Sequence, residues 1–148
     1  MAKQQEIWVY KGSPALRLAR SLADRYSLQT AERPVRPAPS ASAVQEPSGP
    51  AVWLVDPVAD PVTILRRLAR RNPNLRLIAV TTARSANRVV GREWFSCIPR
   101  NSPPALADRA IAAAFTHIKM AARELAARHE LERAEREREE LNRIGVAL

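Results

Sequence analysis

The sequence predicts an α/β domain with a mainly parallel, doubly wound sheet, and three observations carry that prediction. Short apolar runs alternate with amphipathic helical stretches along the chain. One local pattern occurs three times: an apolar run, then Ser or Asp followed by Pro, then a helix, at Ser13-Pro14, Asp60-Pro61 and Ser102-Pro103. The run AVWLV (51–55) is apolar at every position, as befits a strand covered on both faces. Each Ser or Asp is expected to accept a hydrogen bond from the first amides of its helix. Each Pro suits the first helical position, where its missing N–H costs nothing. In open parallel sheets ligands lie at the carboxyl ends of the strands, so function is to be read there.

The elements follow in order. Ile7–Tyr10 reads as a strand, and Pro14 to about Tyr26 as a helix whose Ala15, Leu18, Ala19, Leu22 and Tyr26 form one apolar stripe. Ser27–Thr30 is a weak edge strand anchored by Leu28. Residues 31–50 carry Pro34, Pro37, Pro39, Pro47 and Pro50 and predict a loop in place of a second crossover helix. After the central strand, Leu65, Leu68 and Ala69 face inward on a helix that stops at Asn72-Pro73, because a residue before proline avoids the helical region. Leu75–Val80 is the fourth strand, Ala83–Val90 at most a short helix ended by Gly91, and Phe95–Ile98 the fifth strand. The single cysteine, Cys97, falls in that strand and is expected as a small buried hydrophobe.

Beyond Pro104 there is no further proline and one glycine, Gly145, which predicts a single helix of about 45 residues, about 65–70 Å long. Such a helix must leave a domain of this size. Ile111, Phe115, Ile118, Ala122 and Leu125 make the stripe expected to pack on the sheet. Ala127, Leu131, Ala134, Arg138, Leu141, Gly145 and Leu148 then alternate by four and three, the spacing of a coiled-coil seam. Ala127, Leu131, Ala134, Leu141 and Leu148 are its apolar contacts, and a homodimer through them is expected. The domain division that follows is 1–104 for the α/β part and 103–148 for its last helix extended as a stalk. The chain ends on the apolar, uncapped RIGVAL, as if the polypeptide continued.

Composition narrows the function. The formal net charge is +9 over 148 residues, and all of the excess falls in residues 1–104, where 16 basic residues meet 7 acidic ones. No run reaches the about 18 apolar residues of a membrane helix, and MAKQQE lacks the apolar core of a signal peptide, so a cytoplasmic protein without membrane contact is predicted. His117 and His129 sit twelve apart on the long helix without a ligand set around them, and the four glycines are isolated, so no metal, cofactor or enzymatic activity is expected. Nucleic acid is the rival partner: Arg66, Arg67, Arg70 and Arg71 form one basic helix face able to contact phosphates. No aromatic side chain interleaves with them, however, and no nucleic-acid-binding signature accompanies them, which ranks this alternative second.

The strand ends carry a resemblance. LVDP closes the third strand, IAVTTA the fourth, and IPRNSPPAL precedes the last helix. From Ile7 to about Leu125 this layout resembles the receiver domain of bacterial two-component response regulators. The resemblance implies a flavodoxin- or CheY-like five-stranded parallel sheet in the order 2-1-3-4-5. It also implies that Asp56 stands at the phosphoacceptor position and Thr82 at the residue that senses phosphate. The family's acidic pair after the first strand, which holds Mg²⁺, is replaced by Tyr10, Lys11 and Gly12, and Pro99 or Arg100 stands where its fifth-strand lysine would be. One carboxylate beside a lysine is a poor cation site. The resemblance is thus to a degenerate receiver with Asp56, Lys11, Thr82 and Arg100 at the altered site and Asp56 paired with Lys11. A working phosphoacceptor at Asp56 is the other alternative. EELNRIGVAL is similar to the helix that enters GAF sensory domains, which implies a downstream output domain served by the stalk.

Overall fold

The computed structural model describes residues 4–34 and 45–147. Five strands form one parallel sheet: β1 (Glu6–Tyr10), β2 (Ser27–Ala31), β3 (Ala51–Val55), β4 (Leu75–Thr81) and β5 (Trp94–Pro99). Their order is β2-β1-β3-β4-β5, as the receiver resemblance implies, with β3 at the centre and buried at all five positions. The helices are α1 (Leu16–Arg20), α2 (Val62–Arg71) and α3 (Pro104–Ala147). A 3-10 turn at Ala86–Arg88 replaces a helix between β4 and β5.

Alternation along each strand sends neighbouring side chains to opposite faces and so builds two cores. Val52 and Leu54 join Ile7, Val9, Ile78 and Val80 against α1 and the first turns of α3. Trp53 and Val55 join Tyr10, Leu75 and Leu77 against Leu65 and Leu68 of α2. The second core is rich in rings: Trp8 and Tyr10 lie 5.3 and 5.1 Å from Trp53, centroid to centroid. Large aromatics fill the space on a face that carries one described helix. Pro37 and Pro39 of the proline-rich segment lie outside the described residues.

Four local expectations are corrected. The α1 helix ends at Arg20 rather than near Tyr26, because the Ser21 hydroxyl donates to the Leu18 carbonyl and i to i+3 bonds at Leu22, Ala23 and Arg25 tighten the chain. The stripe nevertheless stays buried through Leu22 and Tyr26. Of the three expected caps Ser13 comes nearest, accepting from the Ala15 amide at 3.1 Å in the turn just before α1, which itself has no side-chain cap bond. Ser102 donates to the Pro99 carbonyl instead, and Asp60 is engaged elsewhere. Cys97 is exposed, since β5 is an edge strand beside the connection that lost its helix.

The chain divides into two compact units, Met1–Ile118 and Lys119–Leu148. In the first, α3 contributes Ala107, Ile111, Ala114, Phe115 and Ile118 to the core, and Tyr26 stacks on Phe115 at 5.9 Å. Asp108 accepts from both Tyr26 and Arg25, tying the helix to the end of the α1 segment. The second unit is helical through Ala147, and its Leu125, Leu131, Leu141 and Ile144 are exposed. The sheet-packing stripe therefore stops at Ile118, a turn or two before the expected Leu125, because Ala122 and Leu125 are not covered. Leu148 lies outside the described residues. Among the described residues no helix is long and apolar enough to cross a membrane.

The end of that stripe is measurable. Ile111→Ala should cost about 2–5 kcal/mol of unfolding free energy, as for a filled core site, and Leu125→Ala less than about 0.5 kcal/mol. Urea unfolding of both variants checks this.

Candidate functional site at the carboxyl edge of the sheet

The β3–α2 turn, Asp56-Pro57-Val58-Ala59-Asp60, folds on its own two carboxylates. Asp56 is buried at the end of β3, and its Oδ1 accepts from the amides of Val58 and Ala59, both at 2.9 Å. Its Oδ2 receives the Arg100 guanidinium at 2.6 Å. Burial alone would push the Asp56 carboxyl up, but the two amides and Arg100 outweigh it and hold the group below its ordinary value. Both oxygens of the Asp56 carboxylate are thus engaged from within the chain.

Asp60 is a second, deeper node. Its Oδ2 accepts from the Ser13 hydroxyl and from the Asp56 amide, each at 2.7 Å, and its Oδ1 from Arg33 at 3.0 Å. One buried carboxylate therefore ties together the segments that follow β1, β2 and β3. Burial raises its pKa, and the charge of Asp56 adds to that, against the pull of its three partners. Sequence reasoning assigned Asp60 to helix capping alone. The four-residue spacing from Asp56, with a proline after each aspartate, is the signal that could have pointed to a closed turn.

Lys11 is not the partner of Asp56. Its ammonium meets Glu32 at 2.6 Å, and Arg100 takes the expected place. The register explains the exchange: β1 stays paired with β2 as far as Tyr10 and Ala31, but with β3 only as far as Trp8 and Trp53. A tight turn at Gly12, with φ of +77°, then brings the Ser13 amide to the Tyr10 carbonyl. Arg100 arrives by the β4–β5 pairing, which runs to Thr81 opposite Pro99, and the Arg100 amide donates to the Thr81 carbonyl at 2.7 Å.

Thr82 is exposed beyond β4, and its amide and hydroxyl both engage the Ser85 hydroxyl, at 2.8 and 3.2 Å. Asp56, Thr82 and Arg100 line one cleft of about 370 Å³ together with Arg84, Ser85 and Arg88, which sequence reasoning missed. Thr81 is buried, with its hydroxyl 3.1 Å from the Cys97 sulfur. The acidic pair that would hold a receiver's divalent cation has no counterpart at the end of β1. Asp56 and Asp60 each accept three hydrogen bonds already, and among the described residues no three His, Cys, Asp or Glu side chains come together. This donor set does not fit such an ion.

The arginines of α2 are partly neutralised. Arg66 and Arg70 both meet Glu93, at 3.2 and 2.5 Å, and Arg71 lies 3.8 Å from Glu46, while Arg67 is exposed. The Glu93 carboxyl is drawn down to about 2 by its own amide and by the two guanidiniums. Two acidic residues distant in sequence thus engage three of the four arginines of the face read as phosphate-binding and offset half of its charge.

No protein-family model matches the sequence, and comparison with curated proteins finds no match. Solved structures match in fold. The chain is similar to an adenylate cyclase structure from Rhodopirellula baltica, at 18% identity and a TM-score of 0.58 over 86% of this chain and 96% of that one. A response regulator receiver domain protein from Clostridium thermocellum matches at 13% identity and a TM-score of 0.51, covering 78% of this chain and 98% of that one. A fusion carrying a yeast Spc42 trimeric coiled coil matches at 14% identity and a TM-score of 0.58, over 89% of this chain and 95% of that one. At these identities the likeness is one of architecture, and the fold is receiver-like.

The Asp56–Arg100 pair has a pH signature. A carboxyl held below its unfolded value contributes stability above the ordinary carboxylate range and loses it as pH falls through the folded value. Asp56→Asn keeps an acceptor for the two amides and loses the ion pair. It should cost about 1–2 kcal/mol at neutral pH, a partly exposed pair being weaker than a buried one. The gap from wild type should close as pH drops below about 4, as read by urea unfolding across a pH series.

Proposed function

We propose that this chain is a non-catalytic, receiver-like regulatory module that dimerises through its C-terminal helix and passes a signal along it to a downstream output domain of GAF type. The observation that carries the reading is the engagement of Asp56: two backbone amides take Oδ1, and the Arg100 guanidinium sits on Oδ2. Phosphoryl transfer needs cations positioned to offset the charge on the transferred group, and Tyr10 and Lys11 stand where the acidic pair that holds one would be. The arrangement here supports a degenerate receiver, in which the guanidinium permanently neutralises the carboxylate. Acetyl phosphate with Mg²⁺ should leave the intact mass of the protein unchanged. A phosphate-sized increment that disappears in Asp56→Asn would restore the phosphoacceptor reading.

Dimerisation is supported by the exposed Leu131 and Leu141 on a helix whose partnered stripe ends at Ile118. Ala127 and Ala134 complete the described part of the seam at four- and three-residue spacing, and Ile144, exposed as well, widens it. The paired helices run parallel in this reading, which brings two output domains side by side. The fold's likeness to a fusion that carries a trimeric coiled coil makes the number of strands a quantity to measure. Light scattering should give twice the chain mass for wild type at high concentration. Leu131→Asp combined with Leu141→Asp should give a folded monomer, because neither leucine belongs to the core. A monomeric wild type, or a double variant that unfolds, would overturn the reading of this helix.

A further inference from the structure

The cleft beside Asp56 holds more positive charge than the Asp56–Arg100 pair uses. Arg84, Arg88 and Arg100 line it, against the single carboxylate of Asp56. Arg84 and Arg88 are exposed and form no ion pair among the described residues. The α2 arginines differ in this respect, since Glu93 and Glu46 engage three of the four. The cleft thus carries two positive charges in excess, the charge of a phosphate-type dianion at neutral pH.

Its other groups suit the same ligand. The hydroxyls of Thr82 and Ser85 lie 3.2 Å apart on the same wall, hydrogen-bonded to each other, which leaves one of their two protons for a tetrahedral oxyanion once the long bond from Ser85 to the Thr82 carbonyl gives way. Guanidiniums present paired N–H donors in the fork geometry that matches phosphate oxygens. The turn that carries them is held by its own bonds, from the Ser85 amide to the Thr82 carbonyl and from the Arg88 amide to the Ser85 carbonyl. A second recess of about 530 Å³ shares Thr82 and Arg100 with the first and adds Ala83, Ala86 and Pro99. It is the more apolar of the two and leaves room for an organic body attached to the anion.

We propose that this cleft binds a phosphate-type dianion non-covalently, either free inorganic phosphate or the head of a small phosphomonoester. This gives the regulatory module an input at the edge where receivers are modified, and it rests on the non-catalytic reading of Asp56 for that role alone. Inorganic phosphate carries no leaving group and cannot phosphorylate Asp56, so its titration is independent of the acetyl phosphate experiment.

The test is isothermal titration of the full chain with inorganic phosphate and with AMP at low ionic strength. Saturable binding at one site per chain is expected. Arg84→Ala combined with Arg88→Ala should weaken it about a hundredfold, about tenfold for each guanidinium lost. Asp56→Asn removes the competing negative charge and should tighten binding several-fold, an effect opposite to that of simple damage. Arg17→Ala combined with Arg67→Ala, which removes the same charge elsewhere, should leave the affinity within about twofold. Sulfate should compete, whereas chloride at equal ionic strength should only screen. AMP binding tighter than phosphate identifies a phosphomonoester as the ligand, and equal affinities identify the free anion. Absence of saturation, equal losses in the two double variants, or chloride as effective as sulfate would overturn the proposal.

Discussion

The carboxyl edge of the sheet is organised by the buried carboxylate of Asp60. Its side chain is fully enclosed and accepts from Ser13, Asp56 and Arg33, which follow or end three different strands. An enclosed carboxylate without partners would cost far more than one hydrogen bond returns, so the three donors must stay in place together. Ser13 gives its proton to Asp60 while accepting from the Ala15 amide, so the start of α1 is set by the same node. The β3–α2 turn closes reciprocally, with the Asp60 amide donating to the Asp56 carbonyl and the Asp56 amide to the Asp60 carboxylate. This geometry directs the Asp56 carboxylate toward β5, where Arg100 waits. The two aspartates therefore span the sheet from β2 to β5.

That arrangement changes the chemistry available at the edge. A carboxylate held by two amides and paired with a guanidinium is a weakened nucleophile and a weakened cation ligand, yet it leaves the neighbouring arginines free to attract anions. The same strand ends that in an open parallel sheet favour ligand binding thus keep their location and change the sign of what they attract. Binding replaces bond formation as the way such a site can sense phosphate.

Much of the fold was legible because burial leaves a strong imprint on apolar spacing. The five strands and the central place of AVWLV follow from it, and the end of α2 at Asn72-Pro73 from the restriction that proline puts on the residue before it. The candidate site was legible in part: Asp56, Thr82 and Arg100 do share a cleft. What escaped depends on partners distant in the chain. Lys11 directly follows β1, but the place where β1 leaves β3 decides that it meets Glu32. Asp60 and Ser102 have the residue types of caps, and their competing partners are tertiary. Cys97 looked buried because its strand is apolar, and only the missing helix before β5 leaves it exposed. Ala122 and Leu125 keep the helical phase of the stripe after the sheet has run out, and periodicity carries no information about where a neighbour stops.

Gly91 has a consequence of its own. A Cβ placed on it would lie 2.5 Å from the Glu93 carboxylate and 2.7 Å from the Arg66 guanidinium. Both are the tips of flexible side chains and can move aside, so the Glu93 ion pairs do not themselves exclude a side chain there. The backbone does: a φ of +121° lies where residues with a Cβ rarely go. The turn into β5 is thus tied to glycine by the path of the main chain, and the charge balance of the neighbouring helix can drift independently of it.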